Sequence, residues 1–224
     1  MNSGILYIVA TPIGNLEDIT LRALRVLKEV NLIACEDTRV TKKLLNHYNI
    51  ETSTVSYFQH SKLSKSSQII DLLKTGKNVA LVTDAGTPGV SDPGNKLVEA
   101  VIGENITVVP IPGASAIAAL ISVAGIDMQK FIFLGFPPHK KGRETFFREV
   151  GEAEYPAMYY DSPHRVLKNI EMLAKFGADK KIIIGREMTK IFEEIVRGSS
   201  QKILAYFQEN PSKVKGEFVI ITYQ

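Results

Sequence analysis

Short apolar runs alternate with longer, helix-periodic segments through the first half of this chain. Runs over residues 4–10, 31–35, 55–58, 79–82 and 106–109 read as strands. Between them, residues 21–30, 40–48, 67–74 and 95–103 carry helical spacing, with Thr20 placed to cap the first and Gly76 to stop the third. Strand, turn and helix repeated in this order predict βαβ units and a parallel sheet.

The alternation breaks at Pro110-Ile111-Pro112-Gly113, which predicts two α/β domains, 1–111 and 112–224. Past the break, a small-residue helix runs over 114–121, and its first-turn N–H groups have no partner within the helix. Strands follow over 131–136, 157–160, 181–185 and 218–222, with an amphipathic helix over 166–176. Ser162 and Pro163 stand where a cap and a first helical residue would precede that helix. Residues 186–194 read as a dense polar loop or a short helix.

Composition narrows the classes. The chain has 224 residues, is 45% hydrophobic and contains a single cysteine, so it can build large cores but no internal disulfide or cysteine-rich zinc site. Four scattered histidines show no paired ligand spacing, so no metal is expected. The N-terminus lacks a signal-peptide pattern and no run approaches a membrane span, which makes the cytoplasm the expected compartment. A net charge of +3 permits a nucleic-acid partner without requiring one.

The stretch over 78–94 organises the rest. Its strand ends at Thr83-Asp84 and runs into a loop with Gly86, Gly89 and Gly94, stiffened by Pro88 and Pro93. In a parallel sheet that carboxyl edge is where ligands bind, and Glu36, Asp37 and Asn15 reach the same edge. The plainer alternative is an ordinary strand-to-helix connection. Glycine fingerprints for dinucleotides, a P-loop and a G-x-S-x-G elbow are all absent. What remains is a backbone-lined pocket for a small organic ligand.

Six segments together, TPIGNLEDITLRAL (11–24), ACEDTR (34–39), DAGTPGVSDPG (84–94), PIPGASA (110–116), YDSPHR (160–165) and GREMTK (185–190), resemble the tetrapyrrole-methylase superfamily, and within it the branch that acts on ribosomal RNA. The resemblance implies two α/β domains with S-adenosylmethionine in the cleft between them. It also implies a homodimer, and methyl transfer to a cytidine ribose 2′-oxygen in the decoding region of small-subunit rRNA, whether naked or assembled in the subunit. Carried over by position, the cofactor contacts fall on Pro12, on Asp84, Ala85, Gly86, Thr87, Pro88 and Val90, on Gly113, Ala114, Ser115 and Ala116, and on Tyr160. Gly86-Thr87-Pro88 stands where the superfamily usually has Gly-Asp-Pro, which fits the RNA branch.

A ribose hydroxyl is a poor nucleophile and benefits from a base or a charge near the developing alkoxide. Glu36, Asp37, Asp84, Glu187 and Lys190 are the candidates, unranked. Asn15, Arg39, Lys140, Lys141, Arg143 and Arg165 are the candidate RNA contacts. For the charged groups the plainer alternatives are a capped helix start with a solvated ion pair at Glu36–Arg39 and a solvated loop at Lys140–Arg143. His47 and His60 read as surface residues, Cys35 as a small buried strand residue, and Tyr159 and Tyr160 as pointing opposite ways along one strand. Two rival functions stay open: a methylase of tetrapyrrole precursors, and an rRNA-binding assembly factor that binds the cofactor without turnover.

Overall fold

The computed structural model describes residues 3–57, 63–92 and 94–224, with Leu63 and Ser64 placed by backbone alone. Phe58 and His60 of the third strand and its following loop, and Pro93 of the glycine loop, lie outside the described residues. The chain divides into two compact units, 1–115 and 116–224. No helix among the described residues is long and apolar enough to cross a membrane.

Unit 1 alternates strands and helices throughout: β1 (Leu6–Val9), α1 (Leu21–Glu29), β2 (Leu32–Cys35), α2 (Thr38–His47), β3 (Thr54–Ser56), α3 (Leu63–Lys74), β4 (Val79–Val82), α4 (Gly94–Gly103) and β5 (Val108–Ile111). All its strands are parallel, in the order β3-β2-β4-β1-β5. The period-2 alternation of a strand sorts the residues onto two faces. Val9, Ile33, Cys35, Ala80 and Val82 pack into one core with Leu27 and Leu45, while Leu6, Ala34, Leu81 and Val79 pack into the other with Leu73 and Val101. Helices covering both faces are why β4 reads as an uninterrupted apolar run. Thr20 accepts the Ala23 amide at 3.1 Å and starts α1, as its position predicts.

The fifth strand departs from the sequence reading. It lies two residues later and includes Pro110, which had marked the break. As the outer strand of the sheet β5 tolerates a residue without an N–H, so proline there ends no ladder.

Unit 2 comprises α5 (Ala116–Ala124), β6 (Ile132–Phe133), α6 (Arg143–Glu152), β7 (Ala157–Asp161), α7 (Val166–Phe176), β8 (Lys181–Arg186), β9 (Glu194–Ser199), α8 (Ser200–Glu209) and β10 (Phe218–Tyr223). Its sheet is mixed, ordered β6-β7-β10-β8-β9, with only β6 and β7 parallel. One face buries Phe147, Tyr159, Ile170, Ile182, Phe207 and Ile220 in a single core. On the other face the side chains of Leu120 in α5, Val219 and Met188 close around Gly185, where a Cβ would lie 2.7–3.0 Å from each.

Three elements of unit 2 were not foreseen, α6, β9 and α8. The α7 bounds are those read from the sequence, but its cap differs. Ser162 does not cap the helix, which begins at Val166 with Arg165 before it. The Ser162 carbonyl instead accepts the amides of Arg165 and Val166, both at 3.0 Å, so residues 162–165 form a turn leading into the helix.

Candidate functional site

In unit 1 the connections leave β1 and β4 in opposite directions across the sheet, which makes the carboxyl ends of these neighbours a topological switch point. The loops there are stitched together. Thr11 and Gly86 exchange backbone hydrogen bonds of 2.9 and 3.1 Å, and the Thr11 hydroxyl donates to the Thr83 carbonyl at 3.1 Å. Thr87 donates its hydroxyl to the Ala114 carbonyl at 3.3 Å, joining the loop after β4 to the one after β5. A carboxylate at that position, as in the superfamily's usual Gly-Asp-Pro, would set two acceptors against each other.

Glycine is required at two points of this cradle. Gly86 has φ +84, and a Cβ there would sit 3.3 Å from the Ile13 side chain. A Cβ on Gly113 would sit 2.9 Å from that of Ala10. The amides of Ala85, Gly113 and Ala114 donate to no other described residue, while Ala85 and Gly113 are exposed and Ala114 is half-buried. Pro12 and Pro88, in the loops after β1 and β4, are buried.

One residue of the loop escaped the sequence reading. Asp92 accepts the amides of Gly89 and Val90 on one oxygen, at 2.6 and 3.1 Å, and that of Gly94 on the other, at 2.8 Å. Its carboxylate holds the glycine loop in shape, and the legible signal was an Asp among three glycines in a turn.

Four carboxylates share this edge. The Asp37 amide donates to Asp84 Oδ1 at 3.0 Å, tying the ends of β2 and β4. Asp37 caps α2 and takes Arg39 on both oxygens, at 3.1 Å from Nε and 2.6 Å from a terminal nitrogen; the arginine's hydrogen bonds hold this carboxyl at about 2. Glu36 behaves oppositely. Burial first, then the charges of Asp84 and Asp92, push its pKa above the usual glutamate value. Asn15 accepts the Glu17 amide at 3.1 Å and caps a single turn over Leu16–Asp18.

Within unit 2, Tyr160 lies between Phe133 and Phe136, each with its ring centroid 5.2 Å away, and burial pushes its hydroxyl up to about 12. Arg165 braces the neighbouring loop, donating to the Pro137 carbonyl and the Ser162 hydroxyl, both at 3.2 Å. Lys140 and Lys141 are exposed, and Arg143 donates to the His139 carbonyl. Buried Asn169 donates to both Asp161 oxygens, at 3.0 and 2.8 Å, which fixes the end of β7. A polar residue on the apolar face shared by Val166, Ile170 and Leu173 was the signal for it.

Glu187 and Lys190 close on each other. Lys190 bridges Glu187 at 2.9 Å and Glu217 at 3.0 Å, and Glu187 also accepts the Glu217 amide at 2.9 Å. Burial raises the Glu187 pKa, but the Lys190 ammonium and the Glu217 amide outweigh it and hold the carboxyl below its usual value. Burial lowers that of Lys190, and the two carboxylates outweigh it, so the ammonium stays protonated.

The profile of the tetrapyrrole (corrin/porphyrin) methylases matches residues 5–204. The chain belongs to this family. Ribosomal RNA small subunit methyltransferase I of Halalkalibacterium halodurans is 44% identical over 98% of this chain and 76% of its own length. The protein of the same name from Streptococcus pyogenes serotype M1 is 46% identical over the same shares, and that of Bacillus subtilis strain 168 is 42% identical over 97% and 74%. Among solved structures, the cobalamin biosynthetic enzyme cobalt precorrin-4 methyltransferase superposes with a TM-score of 0.72 at 17% identity, covering 97% of this chain and 94% of that one. Uroporphyrin-III C-methyltransferase from Thermus thermophilus gives 0.65 at 18%, with the same coverage. At that identity the likeness speaks for the fold.

S-adenosylmethionine is the methyl donor of tetrapyrrole methylases, and this chain is a methyltransferase of that kind. The cradle of unit 1 fits the donor: backbone amides that no described residue accepts, on loops that glycines let pack closely against Ile13 and Ala10.

Proposed function

We propose that this chain methylates the ribose 2′-oxygen of a cytidine in small-subunit ribosomal RNA, acting in the cytoplasm as a homodimer. The observation that carries the reading is the likeness to rRNA methyltransferases over nearly the whole chain, at more than twice the identity shared with the corrin and porphyrin enzymes. The Thr87 hydroxyl bonded to Ala114 supports it, because the cradle here is closed by a neutral contact.

Bound S-adenosylmethionine supplies a methyl already activated on a sulfonium, so the protein has to position the nucleophile and remove its proton. Pro12, Asp84 to Pro88, Val90 and Gly113 to Ser115 would hold the donor through backbone groups, and the resemblance adds Ala116 and Tyr160 to its contacts. Glu36 takes the proton of the attacking hydroxyl. Among the candidate carboxylates and Lys190, it is the group whose raised pKa brings it toward the operating range of a base, whereas Asp37 at about 2 is too weak and Lys190 is protonated. Asp84 positions the α2 start beside it, and Arg39, Lys140, Lys141, Arg143 and Asn15 face the RNA.

The test offers labelled donor to unmethylated small subunits, free rRNA and a corrinoid precursor, with nuclease digestion and mass spectrometry to place the label. A single 2′-O-methylcytidine is expected, and label on the corrinoid alone would overturn the reading. Glu36→Gln should lower kcat about a hundredfold or more at unchanged donor affinity.

A further inference from the structure

The segment between β6 and α6 presents an aromatic ring that the proposed reaction does not use. Leu134 donates its amide to the Met158 carbonyl at 2.9 Å, and Tyr160 donates its amide to the Gly135 carbonyl at 2.8 Å, so the chain stays pinned to β7 up to this glycine. Gly135, at φ +66, then turns the backbone away. The next residue, Phe136, remains half exposed, at 50%. Its ring leans on Tyr160 at 47°, and Tyr160 is backed edge-on by Phe133. One face of Phe136 is therefore supported by a rigid aromatic stack.

The loop beyond this ring is cationic. Between Phe136 and Arg143 there is no acidic residue, and Lys140, Lys141 and Arg143 lie in that span. Among the described residues neither lysine has an ion-pair partner, while nearby Glu144 pairs with Arg148 at 3.4 Å. The loop is not slack, because the Arg165 guanidinium holds the Pro137 carbonyl at 3.2 Å. A supported aromatic face in the same short loop as unpaired ammonium groups is the combination that grips single-stranded nucleic acid, base on ring and phosphate on cation.

We propose that Phe136 is the stacking platform for an unstacked nucleobase of the substrate RNA, with Lys140 and Lys141 on the flanking phosphates. The proposal rests on the rRNA reading and adds a residue that nothing else assigns. An apolar contact with a second copy of the chain would also cover a phenylalanine, but it gives no use to two unpaired lysines in the same short loop.

The probe is a short single-stranded RNA with one pyrrolocytidine at the target position, whose emission is quenched by stacking. The chain has no tryptophan, so its own emission does not interfere. Wild type should bind and quench. Phe136→Leu should abolish the quench and weaken binding about five- to a hundredfold, the range for losing one base–aromatic stack, and Phe136→Tyr should restore both. Lys140→Ala/Lys141→Ala should keep the quench at saturation while the salt dependence of log Kd becomes shallower by about 1.4, as for two lost phosphate contacts on a single strand.

Methyl transfer to small subunits is measured on the same proteins. Wild-type transfer with Phe136→Leu unchanged in quench, affinity and KM overturns the proposal and leaves the rRNA reading standing. So does a Phe136→Leu protein altered only in its sedimentation mass. Wild type that neither binds the RNA nor transfers a methyl overturns both.

Discussion

Two loops of this protein look alike in sequence and differ in how their charges are spent. The loop after β4 and the loop after β8 both follow buried strands, both contain left-handed residues (Gly86 and Gly89 in one, Glu187 and Thr189 in the other), and both are rich in polar groups. In the second, each charge is answered: Lys190 is shared by Glu187 and Glu217, and Arg186 donates to the Lys215 and Phe192 carbonyls at 3.1 and 3.0 Å. In the first, the amide of Ala85, and beside it those of Gly113 and Ala114, are left without a partner among the described residues. Unpartnered amides alone do not separate the loops, because those of Met188, Ile191 and Phe192 also lack a partner among the described residues; the difference is that the second loop's charges are spent on one another. Density of charge alone marks a turn that has folded onto itself.

The comparison breaks most sharply at Gly86. Gly86→Val puts a branched side chain against Ile13 in a backbone conformation that costs an L residue about 1–2 kcal/mol. Calorimetric affinity for S-adenosylmethionine should fall by more than about tenfold, each about 1.4 kcal/mol being one decade. An unchanged affinity would remove this loop from the cofactor site.

Asp92→Ala comes next. Three amides lose their charged acceptor, and although water replaces part of it, about 1–2 kcal/mol of loop order should disappear. The KM for the donor should rise about tenfold with kcat less affected, and Asp92→Asn should recover part of the loss through its one remaining acceptor. A fall in kcat alone would mean that Asp92 acts in another way.

Lys190→Met should be milder and of another kind. Breaking a half-exposed triad costs about 1 kcal/mol of stability, visible as a lower denaturant midpoint, while kcat stays within about twofold. A thousandfold loss of kcat in a folded Lys190→Met would restore this lysine to the catalytic set.

The smallest effect concerns Glu36 and pH. A folded-state pKa raised above the unfolded one stabilises the protein below the ordinary glutamate value, and that contribution is lost as pH rises through the raised value. Glu36→Gln should therefore flatten this decline and be as stable as wild type, or slightly more so, at neutral pH. A variant markedly less stable at neutral pH would show that the carboxylate is a needed partner and not a strained one.

Much of unit 1 was legible because its signals are local. An apolar run with helices on both sides, Thr20 before α1 and Gly76 after α3 each act within a turn of where they stand. The six motifs placed the family for the same reason. Unit 2 was harder because its partners are distant in sequence. β9 is a half-buried outer strand whose identity comes from pairing with β8, and Glu187 is satisfied by Glu217, thirty residues on. Ser162 and Pro163 look like a helix start, yet the Ser162 hydroxyl accepts from Arg165 and the turn delays the helix to Val166. The exposure of Phe136 likewise depends on Gly135 and on Tyr160 from another strand.

Hydrogen exchange of the backbone amides, with and without saturating S-adenosylmethionine, tests the central contrast directly. Fast exchange is predicted at Ala85, Gly113 and Ala114 in the free protein, and strong slowing at all three when the donor binds, with the Glu187–Lys190 turn unchanged. Protection confined to the Glu187–Lys190 turn, with the three amides still exchanging freely, would contradict it.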